Sequence, residues 1–221
     1  MFNNKKRKEE RLNSRIPDSI SPKAYNAVIG GCLAYGFIMN AIMAMVASTF
    51  FMEMNYLVFL IGYFICVLIG TFMVHLSHNP IVSFIGYNLI VVPIGAVLAV
   101  CLPFYSASSI VAAVLVTAII TAILMLLGMM FPGFFSRLGP VLFISLLVGI
   151  IVEVIAMLLG YGGDIFNWLF VVIFSLYIGY DWHRAQMYPK TLDNAIDSAV
   201  DLYLDIINVF IRLLEIFGKK D

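Results

Sequence analysis

The sequence predicts an all-α membrane protein of seven transmembrane helices, on three observations. The 221 residues are 62% hydrophobic and only 12% charged, against about 45–50% and about 25% in soluble domains; the mean hydropathy is +1.01. Apolar runs of roughly 20 residues, the length that crosses a bilayer as a helix, recur along the whole chain. The breaks between them are short and carry turn residues: His78-Asn79-Pro80, Leu102-Pro103, Phe131-Pro132-Gly133 and Gly160-Tyr161-Gly162-Gly163. Strands are excluded, because an open sheet edge finds no hydrogen-bond partners in lipid.

The chain opens on a polar, basic tail over residues 1–23. It holds Lys5, Lys6, Arg7, Lys8, Arg11, Arg15 and Lys23, seven of the thirteen basic residues. No signal-peptide pattern precedes the first apolar run. Spans follow at 24–47, 55–75, 80–101, 107–130, 138–160 and 164–183, then a weaker seventh at 193–217, within one transmembrane domain over 24–218. The basic tail places the N-terminus in the cytoplasm. Alternation then puts the loops near 78, 131–138 and 183–192 on the same side, with Arg137, His183, Arg184 and Lys190. The opposite loops hold Glu53 and Asp164 and no Lys or Arg. Cys32, Cys66 and Cys101 each fall inside a hydrophobic run, which reads as packing and not as a disulfide framework or metal cluster.

The seventh segment is the unusual one. Asp193, Asp197, Asp201 and Asp205 are spaced four apart, so their carboxylates stack along one stripe of a helix. Asp193 and Asp197 read as a solvated helix start, favoured by the helix dipole. Asp205 lies between apolar residues, and Arg212 and Glu215 follow it. Ionisable groups near the bilayer centre cost a few kcal/mol each on insertion scales. Such a helix is expected at the centre of the bundle, surrounded by the other six, with its stripe facing protein.

The sixth span ends FSLYIGYDWHRAQ, with Asp181 near its inner boundary. The seventh begins on the same side, and its apolar part starts at Leu202, roughly 5 Å of rise before Asp205. Asp181 and Asp205 are therefore expected at similar depth near the cytoplasmic face. Two carboxylates facing each other away from water cannot both ionise cheaply, so they titrate as a unit and share a proton in acid. Ionised, the pair repels itself and offers hard oxygen ligands suited to transient calcium binding.

FSLYIGYD followed some twenty residues later by DLYLDIINVFIRLLEIFG resembles the Bax inhibitor-1, or transmembrane Bax-inhibitor-motif, family, which has bacterial members. SHNPIVSFIGYN, Ser77 to Asn88, is similar to that family's loop between its second and third spans. The resemblance implies two layers of three helices around a central C-terminal helix. It implies a pH-sensitive calcium leak with an aspartate dyad as sensor, which falls on Asp181 and Asp205 by motif position. It also implies a basic partner in the second helix. Here that helix ends GTFMVHLSHNP without Arg or Lys, leaving His75 as the titratable candidate for the latch. Asp201, Arg212 and Glu215 stand on the central helix as further pathway or latch residues. Family members are also connected with cell-death control and membrane proteases, so a non-conducting regulator of other membrane proteins is the alternative.

Glu153, in GIIVEVIAML, is the most isolated acid of the chain and a candidate for the ion pathway or a bond between helices. His75 and His78 have a spacing that suits a metal but read as interfacial histidines. An enzyme is not expected. A retinal protein is excluded, because no lysine lies between 24 and 189 or in the seventh span. Asp164 and Asp181, which invite comparison with intramembrane aspartyl proteases, sit roughly 25 Å apart at opposite ends of one helix. The expected setting is a bacterial plasma membrane, with the lipid bilayer, calcium ions and other membrane proteins as partners, and no nucleic acid or cofactor.

Overall fold

A helix satisfies its own backbone hydrogen bonds, which lipid cannot do, and the apolar runs fold accordingly. The computed structural model describes residues 18–161 and 163–218. The basic tail before Asp18, with Lys219 and Lys220, lies outside the described residues. Among these are nine α-helices: α1 (Pro22–Val46), α2 (Ser48–Met52), α3 (Tyr56–Leu76), α4 (Pro80–Cys101), α5 (Ala107–Met130), α6 (Pro132–Phe135), α7 (Gly139–Leu158), α8 (Asp164–Met187) and α9 (Leu192–Phe217). The spans expected from hydropathy match the long helices to within a few residues. One-turn α2 and α6 were not expected; they fill breaks too short for periodicity to register.

The starts follow from capping chemistry. Ser21 Oγ accepts from the Ala24 amide at 3.2 Å, with Pro22 in the first turn, where its missing N–H costs nothing. Asn55 Oδ1 accepts from Leu57 at 3.0 Å and Val58 at 3.4 Å, and Ser106 Oγ from Ser109 at 3.2 Å. Just past α7, Gly160 takes a φ of 79°, which suits glycine. Helix α8 runs on to Met187, so His183 and Arg184 belong to a helix and not to the loop expected at 183–192.

Six helices, α1, α3, α4 (extended through Phe104), α5, α7 and α8, are long and apolar enough to cross a membrane. Their outward residues are apolar: Phe64, Leu68 and Phe72 on α3, Leu115, Ile119 and Ile123 on α5, Phe143, Leu147 and Ile151 on α7 are all exposed. Faces of that extent belong in lipid, and the protein is an integral multi-pass membrane protein. The helix α9 differs, since its acidic stripe keeps it out of that group. Instead it is buried along its length, at Ala195, Ala199, Val200, Leu202, Tyr203, Val209 and Leu213 among others.

The described residues divide into two compact units. One gathers 18–100 and 187–200, the other 101–161, 163–186 and 201–218. In the first, α3 and α4 approach closely at Gly70 and Gly86: a methyl on Gly70 would lie 2.6 Å from the Gly86 carbonyl oxygen. In the second, α5 and α8 meet in the same way, a methyl on Gly128 falling 2.5 Å from the Gly179 carbonyl oxygen. Small residues permit this backbone approach in membranes.

Candidate functional site

Asp181 lies on α8, just past Gly179, where the contact with α5 fixes the backbone. Asp205 lies midway along α9. Both belong to the second unit and are nearly enclosed, 9% and 6% exposed. Their carboxyl groups are within hydrogen-bonding contact of each other. Asp181 Oδ1 and Asp205 Oδ2 are buried without a hydrogen-bond donor from the described residues. Two carboxylates present acceptors only; a proton on one supplies the donor that the other lacks. The pair expected from depth alone is thus brought together.

Around it stand three further groups. Arg184, one turn beyond Asp181, places Nη1 3.5 Å from Asp181 Oδ1 and Nη2 3.4 Å from Asp201 Oδ2. Tyr177, one turn before Asp181, brings its phenol into the field of both buried carboxyls. The arrangement is three acids against one guanidinium, with the guanidinium toward water, its side chain 39% exposed. Arg184 and Tyr177 were missed from sequence, although both stand at helical spacing from Asp181. No group of three or more His, Cys, Asp or Glu suited to a metal occurs among the described residues. A pair of carboxylates is few for calcium, which takes about 6–8 oxygen ligands.

The other expected residues fall into separate places. Glu153 is not isolated: its Oε1 and Oε2 receive Arg212 Nη1 and Nη2 at 2.6 and 3.0 Å, and Nη1 also reaches Asn167 Oδ1 at 2.9 Å. Glu215, three residues on, is exposed and acts electrostatically on Cys101 and Tyr105. His75 is exposed in the last turn of α3. His78 sits in the following loop.

Asp193 departs from expectation. It is not a solvated helix start but a buried group, 7% exposed, accepting from Ser83 Oγ at 2.7 Å. Nearby in the first unit, Tyr25 bonds Ser198 Oγ at 3.0 Å, and Lys190 Nζ lies 4.4 Å from the centroid of the Tyr25 ring. Burial pushes the Lys190 ammonium down to about 8.

The family model described as "Inhibitor of apoptosis-promoting Bax1", Bax1-I, matches residues 19–221. The chain belongs to this family. The chain is similar to an uncharacterised protein of Helicobacter pylori, 38% identical over 87 residues, which cover 38% of this chain and 36% of that protein. It is also similar to a BI1-like protein of Arabidopsis thaliana, 34% identical over 90 residues, 39% of this chain and 35% of the relative. The matched stretch spans about a third of the length of these curated relatives. The family match covers both units, so the Asp181–Asp205 pair and the Glu153–Arg212 pair of this Bax1-I protein both lie within it.

Proposed function

We propose that the protein is a pH-sensitive calcium (cation) leak channel gated by the Asp181–Asp205 pair. The observation that carries this reading is the contact of two buried carboxyls, each with an oxygen that accepts no hydrogen bond from the described residues, Arg184 meeting Asp181 Oδ1 only as an ion pair at 3.5 Å. While they share one proton, α8 and α9 are tied together by a bond between neutral acid and carboxylate. When that proton leaves, two like charges face each other out of water, and separation of the helices relieves the repulsion. Arg184 offsets part of that charge for Asp181 and Asp201, from the water-facing side.

In this reading α9 is a seventh crossing at the centre of two three-helix layers, which accounts for its burial. The N-terminus is cytoplasmic, because alternation from Lys23 puts Arg137, Arg184 and Lys190 on one side and Glu53 and Asp164 on the other. The membrane is a bacterial plasma membrane. Calcium is cargo and not a resident ligand, and the role is transport, not catalysis.

The test is calcium entry into liposomes holding the purified protein, at about pH 6 and about pH 8, where carboxylates that share a proton in acid are compared with those that have lost it. Flux that rises with pH, with the dependence lost in Asp181→Asn and Asp205→Asn, supports the gate. An unchanged pH profile in both variants rejects it. No flux from any form replaces the channel by a non-conducting regulator that binds other membrane proteins.

A further inference from the structure

Asn167, near the start of α8, is separated from Asp181 by about 21 Å of helix rise. There the second unit holds another ionic group. Glu153 of α7 and Asn167 of α8 direct three oxygens at the guanidinium of Arg212 of α9, at 2.6, 3.0 and 2.9 Å. The fourth partner is a ring: the guanidinium carbon lies 4.4 Å from the centroid of Phe170. An ion pair alone accounts for the bidentate contact with Glu153. It does not account for a third oxygen and an aromatic face converging on the same cation. Those four contacts, two to one carboxylate, one to an amide oxygen and one to a ring face, have the chemistry of a cation-binding site, filled by a charge tethered to the chain.

The pair is also less enclosed than the aspartates. Arg212 and Glu153 side chains are 22% and 28% exposed, unlike the enclosed aspartates. Glu153 sits in a helix whose neighbouring residues Ile151, Val152, Val154 and Ile155 are exposed and apolar. An uncompensated carboxylate is costly there, so withdrawal of Arg212 favours occupation of the site by another cation.

We propose that Glu153, Asn167 and Phe170 form a second cation site of the conduction path, occupied at rest by the Arg212 guanidinium, which a permeating cation displaces to pass. This rests on the cation-leak reading and assigns Arg212 the part of a tethered competitor, distinct from the pair at Asp181 and Asp205.

Two measurements test it. In detergent, Arg212→Ala is titrated with guanidinium chloride at low millimolar concentration, below any denaturing effect. Guanidinium raises the thermal midpoint of Arg212→Ala, and does so neither in the wild type, where the site is filled, nor in Arg212→Ala/Glu153→Gln, where it is dismantled. No selective rise in Arg212→Ala overturns the site, whatever the protein conducts. In liposomes, Arg212→Gln raises calcium flux several-fold over wild type at both acid and alkaline pH and keeps the wild-type ratio between them. Wild-type flux in Arg212→Gln overturns the competitor while leaving the aspartate gate standing. Absence of flux from every form overturns both. Should the neutral variants fail to fold, Arg212→Lys retains the charge with one donor group in place of the fork. It then shows an intermediate increase, and flux equal to wild type overturns the proposal.

Discussion

Arg184 reaches two aspartates at once, Asp181 on its own helix at 3.5 Å and Asp201 on α9 at 3.4 Å. A basic partner for the buried pair was expected from the second span, which has none, with His75 as the substitute. A guanidinium is supplied by α8, one turn past Asp181, and a helix that continues to Met187 holds it there. That placement changes what the cation does. A latch on a different helix would tie α8 or α9 to a third element; Arg184 ties them to each other through Asp201.

For the proposed channel, the consequence concerns the pH dependence of flux. A guanidinium beside Asp181 offsets negative charge on the ionised pair, so in the proposed gate its removal leaves that charge less compensated. Arg184→Gln is expected to move the midpoint of the flux–pH curve toward alkaline values by about one pH unit, a modest shift because the head group is partly in water. The measurement is the liposome calcium assay at steps of about half a pH unit across about pH 6–9. A midpoint that stays put, or moves toward acid, assigns Arg184 to the surface alone.

Ser83 and Asp193 supply a stability prediction. Their bond, 2.7 Å and buried, joins α4 to the first turn of α9. Ser83→Ala removes the donor and strands a buried carboxyl, at a cost of about 1–3 kcal/mol. Asp193→Asn keeps an acceptor oxygen and sheds the charge, so the loss is smaller. Reversible unfolding of the purified protein in mixed micelles measures both. Equal losses, or none in Ser83→Ala, show that water replaces the serine.

These two sites mark how far the sequence carries. The long helices were legible because lipid imposes one local solution and a minimum length, and the caps at Ser21, Asn55 and Ser106 lie beside the runs they start. The Asp181–Asp205 pairing was legible because both fall near the turn that joins consecutive helices, where depth is fixed by counting. Arg184 is readable in principle, three residues from Asp181, but the apolar run ends sooner than the helix, so hydropathy alone places it in a loop. Asp193 and Glu153 were not legible. Their partners, Ser83 and Arg212, lie far along the chain, and nothing local separates a buried helix start from a wet one. A lone acid in an apolar run shows that a partner exists without showing which.

Lys190 gives a pH dependence of opposite origin. Burial lowers its ammonium from the usual 10.5 to about 8. Between those values the unfolded chain holds the proton and the folded chain does not, so the folded state gains stability as pH rises through that window. Below about 8 both states carry the charge and the burial penalty is fully present. Lys190→Met has no such penalty. Its unfolding midpoint relative to wild type is therefore expected to be highest near neutrality and to decline as pH approaches about 10. Thermal unfolding in detergent at several pH values follows the difference. A gap that is flat with pH, or widens, shows that contact with the Tyr25 ring outweighs burial.

The glycines of α3 offer an internal comparison. Gly70 and Gly62 share a helix and a composition, yet a methyl on Gly70 would lie 2.6 Å from the Gly86 carbonyl oxygen and 2.9 Å from an Ile90 methylene, whereas Gly62 meets nothing within 4 Å. The obstacle at Gly70 is backbone, which cannot rotate aside, so α3 and α4 must part. Separation of packed helices by overpacking costs about 1–3 kcal/mol. At Gly62 the added methyl enters lipid, and alanine's better helix propensity makes the change neutral or favourable by a few tenths of a kcal/mol up to about 1. Gly70→Ala is thus expected to unfold at a lower denaturant fraction than wild type, and Gly62→Ala at the same fraction or a higher one. Were both alanines tolerated equally, the close crossing of α3 and α4 would not be a constraint on the first unit.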